Sequence, residues 1–568
     1  MPNLKEKNLY VADFFNEDAL CEIKKIQFDF ILGNPPWGQG GELQKAYFKK
    51  YKLMEYNYRN DTCRAFIFRA RDFCSENTKC CFVLHSKMLY LQKAPSIKFR
   101  EFLLKSTKIS RIVELSSVRK LVFKNANAPA VILSYSFSNN APLNNRFEYI
   151  SMKPNLFFRL FNIIVVEKTD VKYVQQKLLA ENDWAWKTLV YGLSGDFENI
   201  LSLKSIYPAL EDTIKQRSSS ILKGEGVEYH SGDKKPAHHL IGLPLIDSDT
   251  SIDHFIFNEH NSEIFAKTEI HRPRKAALFK APYCLVKKGL DLKDYTMRAV
   301  FAEIDVVYKD AIYAIKGSLD HKDFLLGVTG LLNSKLYAYF NLMLGSSLGI
   351  EREQRHIEEV LKFPFASCDY VARQVERVQK VSRLEDFAVC QDVTGEIEKL
   401  NKMILEAFDL ANNLFVDYAL NVTMPWLANS DECKAFKTVN QQQLSAYVKP
   451  FLEALSAVYG MSGRFVTAKI YPTVARYYSV VEVVLRDNKP SAEIQIMDDF
   501  TSAHAALTRF AADKINDMFF TVKDVIHFDE DSFYIIKANY YKNWHPAIAA
   551  IDLADATHQI LSRNRGNE

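Results

Sequence analysis

The chain has nine cysteines among its 568 residues, an odd number, and no two of them are spaced C-x-x-C. That argues against a disulfide framework or a zinc ribbon and points to a reducing, cytosolic compartment. No apolar run approaches the roughly 18 residues of a membrane span. The opening stretch, MPNLKEKNLY, lacks the apolar core of a signal peptide. An excess of one charge is missing as well. Lys and Arg number 73 against 69 for Asp and Glu, a formal net of +4. Any nucleic-acid partner must therefore be met by a local basic face. No fixed-period repeat or low-complexity tract is visible, which excludes solenoids and tethers.

What is present is a globular composition, 48% hydrophobic and 25% charged. The length suits about three or four domains with sizeable cores. From Asn8 to about Tyr149, strand-like runs alternate with helical spacing. NLYVADFF, FDFILGN, CCFVLHS and ISRIVEL read as strands, and CRAFIFRARDFC and SIKFREFLLKS as helices. APAVILSYSF and RFEYISM read as a hairpin. Alternation of this kind predicts an α/β sheet with crossover helices. Cys80 and Cys81 fall in one apolar strand and read as core thiols. A helical link comes next, then a mixed segment rich in Gly, Ser and basic residues, a helical region, and an α+β tail.

One stretch carries chemistry. FDFILGNPPWGQGG, Phe28 to Gly41, is an apolar strand that breaks into an amide, two prolines and an indole. Ligands of open α/β sheets bind beyond the carboxyl ends of strands. Pro35 pushes Asn34 toward extended geometry, and each proline fixes its own φ and offers no N–H. The result is a stiff loop presenting the Asn34 side-chain oxygen and the Pro35 carbonyl as fixed acceptors beside Trp37. Two acceptors and an aromatic face suit an exocyclic amine on a planar ring. Hydrogen bonds to both oxygens favour a pyramidal amine nitrogen, and Trp37 stacks on a base drawn out of the duplex. The plain alternative is a tight turn that happens to use Asn-Pro.

These residues resemble the adenine-N6 DNA methyltransferases of the gamma arrangement, over roughly residues 8 to 365. In that family N-P-P-aromatic is the catalytic loop, here Asn34, Pro35, Pro36 and Trp37. VADFF resembles the motif whose acidic residue meets the adenine of S-adenosylmethionine, which nominates Asp13 and Phe14. VRKLVFKNANAPAVIL resembles the loop whose aromatic packs on the flipped base, which nominates Phe123 beside Trp37. An ordinary cap at Asp13 and a core role for Phe123 are the competing assignments. The resemblance implies S-adenosylmethionine as cofactor and no metal. The family's glycine-rich cofactor loop is not visible. The first glycine is Gly33, and the twelve residues before Asp13 are too few for a βαβ unit of about 30. An incomplete cofactor pocket is expected, with three explanations open: a second chain supplies the missing strands, the chain is the larger part of a truncated enzyme, or it has given up catalysis and kept DNA binding.

The implied architecture is α/β. An incomplete Rossmann-like methyltransferase sheet with helices on both faces spans 1–160. After it come a helical link (161–205), a mixed α+β target-recognition domain (206–365), a helical region (366–445) and a C-terminal α+β domain (446–568). The recognition segment closes with LLGVTGLLNSKLYAYF, read as one apolar helix, and with IEEVLKFPF. Its candidate contacts to double-stranded DNA are Lys215, Arg217, Lys223, Arg272, Arg274 and Lys275, since Lys and Arg neutralise phosphates. His230, His238, His239 and His271 lack metal-ligand spacing. The leading expectation is a cytoplasmic, site-specific DNA adenine-N6 methyltransferase of a bacterial restriction–modification or phage-defence system. A catalytically silent DNA-binding subunit, and a methyltransferase acting on protein glutamine or RNA, are the rivals.

Overall fold

The computed structural model describes residues 9–123, 128–140, 142–154, 166–229, 232–258, 262–291, 295–351, 356–367, 369–383, 393–428, 433–475, 478–497 and 525–565. The first sheet has six strands in the order β1-β2-β4-β3-β5-β6. They are β1 (Phe30–Gly33), β2 (Lys79–His85), β3 (Thr107–Glu114), β4 (Ala130–Phe137), β5 (Arg146–Ser151) and β6 (Val171–Gln175). β1 and β2 run parallel. The crossover between them carries α1 (Glu42–Lys50) and α2 (Thr62–Ala70). α2 starts cleanly because the Asp61 carboxylate accepts the Cys63 N–H at 3.0 Å, and apart from Phe66 its residues are buried. The sheet has mixed directions: β4 is antiparallel to β2 and β3, and β5 is parallel to β3.

Four readings of the sequence need revision. The stretch Tyr10–Asp13 is not a strand; the chain turns at Phe14, because the Asp13 carboxylate accepts the Phe15 N–H at 2.8 Å and closes a local loop. Asn8 lies outside the described residues. β4 and β5 are not a hairpin, since β3, with Ile109 and Ile112 fully buried, lies between them. The apolar helix from Leu325 to Phe340 is two helices, Lys322–Asn333 and Lys335–Leu344. At the break, Asn333 bonds both the N–H (3.0 Å) and the carbonyl (2.7 Å) of Ala299, while the Ser334 hydroxyl accepts the Tyr337 N–H. In the α+β tail, RYYSVVEVVLR reads as the leading strand after the first helix, whereas a strand at Phe465–Ala475 comes before it.

Between the helical link and that helix pair lies an antiparallel sheet ordered β13-β12-β15-β7, with smaller sheets at its side. Its strands are β7 (Leu222–Glu225), β12 (Tyr283–Lys287), β13 (Ala299–Ala302) and β15 (Ile312–Lys316). The smaller sheets use β8 (Lys235–Pro236), β9 (Pro244–Ile246), β10 (Glu263–Ile264), β11 (Glu269–Ile270) and β14 (Val307–Tyr308). The C-terminal sheet has five strands, and the helices Gln441–Tyr459 and Pro546–Arg565 pack on each other. Two ion-pair groups tie this tail to the turn that leads into β6 of the first sheet. Lys542 reaches Glu167, and Lys168 reaches Asp555 and, at 3.4 Å, Asp552.

Candidate active site

β1 lies at the edge of its sheet. It pairs only with β2 among the described residues, and Phe30 and Leu32 are 63% and 73% exposed. Its last residue is Gly33, where a side chain has little room: a Cβ there would stand 2.9 Å from the Phe82 ring on β2. The chain then leaves the carboxyl end of the strand. Asn34 and Pro36 are exposed, Pro35 is buried, and Trp37 is half-buried. Phe123 braces the indole edge-on, with ring centres 6.5 Å apart.

The segment from Gly38 to Gly41 is held tightly. Gly38 takes φ +141°, which only glycine adopts without strain. Its carbonyl accepts the Thr62 N–H (3.1 Å) and hydroxyl (3.2 Å), and Gly40 N–H donates to the Asn60 carbonyl at 2.9 Å. The buried Gln44 amide fastens the same segment, donating to the Asn60 carbonyl (3.0 Å) and side-chain oxygen (3.1 Å). Those bonds fix which end of the amide carries the N–H groups. Asp61 completes the clasp, accepting from Cys63 and meeting His85 Nε2 at 3.1 Å at the end of β2. Burial, with the Asp61 charge adding to it, pushes the Cys63 thiol up to about 12, so it is an inert core group. Burial also lowers the neighbouring Arg64 to about 10.

Asp13 and Phe14 face this loop across a cavity of about 320 Å³. Its lining includes Asp13, Phe14, Pro36, Trp37, Gln44 and Phe66. Phe14 stacks on Phe66 (4.6 Å) and Phe73 (5.5 Å). Its carbonyl accepts from Arg69 at 2.9 Å. Arg69 is 1% exposed, pairs with Asp72 at 2.5 Å, and lies against the rings of Phe73, Tyr47 and Phe14. Two buried polar atoms at the cavity wall, Trp37 Nε1 and Gln44 Oε1, have no protein partner. A cavity with three aromatic walls, an exposed carboxylate, one spare donor and one spare acceptor fits a flat, amine-bearing heterocycle. Asp13, Phe14, Pro36 and Trp37 thus line one cavity. Asn34 and Pro35 stand beside it, and Phe123 reaches it only through Trp37.

Arg69, Gln44, Phe66 and the Asp61–His85 pair were not singled out from sequence. The available signal was the two arginines inside the otherwise apolar CRAFIFRARDF, since a buried charge must have partners.

The six recognition-segment cations are placed differently from one another. Lys215 pairs with Glu211 (3.4 Å), and Lys223 reaches the same carboxylate at 2.7 Å. Arg217 forks onto Asp369 and stacks on Phe324. Arg272 and Arg274 share Glu228, at 3.0 and 2.9 Å, and Arg274 also donates to the Gly226 carbonyl. Lys275 is exposed and has no ion-pair partner among the described residues. His230 lies outside the described residues, His238 and His239 are exposed and His271 is half-buried; no cluster of His, Cys, Asp or Glu among the described residues is arranged to hold a metal.

Residues 3–123 match the Eco57I restriction-modification methylase family. The methylase match covers α1, α2, the N-P-P-W loop and the cavity. No curated protein matches the chain. Among solved structures, the chain is similar to the Type IIL restriction-modification enzyme MmeI in complex with DNA. There the identity is 12%, the TM-score 0.43, and the match covers 73% of this chain and 59% of that one. It is also similar to the Type ISP enzyme LlaBIII bound to DNA (11%, TM-score 0.38, 68% and 32%) and to the type IIG endonuclease BpuSI (12%, TM-score 0.29, 68% and 55%). The chain spans about three fifths of the MmeI chain. No helix among the described residues is long and apolar enough to cross a membrane.

Proposed function

We propose that this chain is a site-specific DNA adenine-N6 methyltransferase of a bacterial restriction–modification or defence system. The observation that carries this reading is the single cavity bounded on one side by the Asp13–Phe14 turn and on the other by Pro36 and Trp37. Bound there, S-adenosylmethionine supplies a methyl group already activated for transfer. Asp13 and Phe14 would hold the cofactor, the carboxylate accepting from its purine amine and the ring packing against it. Asn34 Oδ1 and the Pro35 carbonyl hold the target amine, and Trp37, braced by Phe123, stacks on the extruded base. The amine nitrogen would bond to the methyl carbon as the sulfonium S–CH3 bond breaks and leaves a neutral thioether, and the proton it gives up would pass to solvent water. The half-buried indole and the zipped Gly38–Gly41 segment keep these groups in place before substrate arrives, which is what positioning catalysis requires.

The free edge of β1 bears on the cofactor. Parallel strands are ordinarily covered on both sides, and an open edge with exposed Phe30 and Leu32 is a template for another strand. In this reading a second chain pairs there and supplies a glycine-rich turn to the cofactor. The test is methyl incorporation from labelled S-adenosylmethionine into duplex DNA, with the chain alone and with its candidate partner. The Asn34→Ala variant is expected to lose about 10²–10³ in rate while keeping its DNA affinity. Unchanged transfer by that variant would refute the assignment. DNA binding with no transfer in either mixture would favour a silent DNA-binding subunit.

A further inference from the structure

Five of the six cations that the sequence nominates for DNA are already neutralised by carboxylates of this chain: Lys215 and Lys223 on Glu211, Arg217 on Asp369, Arg272 and Arg274 on Glu228. Arg274 in addition holds the Gly226 carbonyl, which stitches β7 to the loop after β11. A phosphate approaching these groups would have to displace an intramolecular anion.

A second group of cations in the same domain is arranged otherwise. Lys234, Lys235, Lys267 and Lys309 are exposed, and none has a carboxylate at ion-pair distance among the described residues. Three chain segments bring them together. Lys267 and Lys309 lie over the same ring, that of Tyr229, at 4.8 and 5.7 Å from its centre. Val227 bridges to Lys309 and so sets the Tyr229 segment beside β14. β8, which carries Lys235, pairs with β11, and the ladder continues through Ala237 N–H to the Thr268 carbonyl at 2.7 Å, next to Lys267. An aromatic ring orders an ammonium group without cancelling its charge, whereas a carboxylate does both. Tyr229 therefore holds two full positive charges in a fixed relation on the surface. Of the acids near it, Glu228 is occupied by the two arginines, and the exposed Glu263, whose charge reaches the Tyr229 hydroxyl, stands at ion-pair distance from neither lysine among the described residues.

We infer that Lys234, Lys235, Lys267 and Lys309, ordered around Tyr229, form the face that contacts the DNA phosphate backbone, and that Arg272 and Arg274 support the fold behind it. The inference rests on the proposed DNA-modifying function and adds to it a specific docking face. It places the duplex across β8, β11 and the β14 turn. These contacts carry affinity and orientation but no base sequence.

The test is fluorescence anisotropy of the full chain with a labelled duplex, titrated between about 50 and 200 mM KCl. The quadruple variant Lys234→Gln, Lys235→Gln, Lys267→Gln, Lys309→Gln changes only exposed side chains. Its fold is checked by circular dichroism against a control with Lys105→Gln and Lys402→Gln. Each lysine that touches a phosphate contributes about 0.9 to the slope of log affinity against log salt. The quadruple variant should therefore lose about 3 to 4 slope units and the control none. An unaltered slope in the quadruple variant overturns this face while leaving the DNA reading standing. No duplex binding by the unmodified chain at the lowest salt overturns both. Loss of binding to an acidic protein but not to DNA identifies a protein-docking face and overturns the assignment.

Discussion

Arg69 is where one substitution tests both the packing and the site. Its guanidinium is 1% exposed and makes two charge-assisted bonds, to the Phe14 carbonyl at 2.9 Å and to Asp72 at 2.5 Å, with three aromatic rings around it. Arg69→Met keeps most of the volume and removes both bonds. Breaking a buried pair from one side typically costs about 3–5 kcal/mol, because the other charge stays behind. Asp72 is 19% exposed and keeps the Tyr47 hydroxyl at 3.2 Å, which argues for the lower end, about 3 kcal/mol. The Asp72→Asn change in the same chain removes the stranded charge and should restore about 1 kcal/mol. Arg69→Lys keeps the charge without the fork and should fall between. Pulse proteolysis in urea reads the stability of the segment holding α2, and methyl transfer is measured in parallel at a temperature where all variants are folded. A loss below about 1 kcal/mol for Arg69→Met, with transfer intact, would refute the claim that this arginine fastens the Asp13–Phe14 turn.

Gly40→Ala puts a methyl group into the Gln44 amide, which is 2% exposed and held by two bonds to Asn60. A destabilisation of about 1–3 kcal/mol is expected in urea unfolding, against a near-neutral effect for Gly41→Ala, which meets nothing. Burial pushes the Asp196 carboxyl up from 3.8 to about 7, although it accepts from Leu193 N–H and the Tyr339 hydroxyl. A raised folded-state pKa means that the folded chain holds the extra proton. This stabilisation is complete below pH 3.8 and is lost as the pH rises to about 7. The stability advantage of the native chain over Asp196→Asn should therefore shrink between acid and neutral pH, as followed by urea midpoints at each pH. Leu32→Lys on the exposed edge of β1 should reduce self-association of the isolated chain in light scattering and, in the proposed mixture, weaken pairing with the second chain.

The break after β1 was legible as a conformation because it is local: a strand, two rigid residues and an aromatic in succession. The Asp13–Phe14 turn was legible as a position but not as a conformation. The VADFF pattern alternates like a strand, yet a side-chain bond from Asp13 to Phe15 N–H folds it into a turn. Strand order was not legible. β3 enters between β4 and β5 by pairing over long separations, which no adjacent pattern encodes. The same holds for the cations. Arg272 and Glu228 stand 44 residues apart, so their mutual neutralisation exists only in the folded chain. The LNSK phrase was seen as part of one helix, but Asn333 takes the place of a strand neighbour for Ala299, and the helix breaks there to let it do so.

The turn from Glu167 to Asp170 is gripped by the tail, with Lys542 on one of its acids and Asp552 and Asp555 on its lysine. Asp552 in turn neutralises the interior Lys537 and accepts from Tyr447. A bound partner that tugged on the last helix would therefore strain the strand β6 directly, through the carboxylates that hold Lys168. Trimming that helix would strip a counter-ion from the heart of the tail and from the rim of the first sheet in one cut.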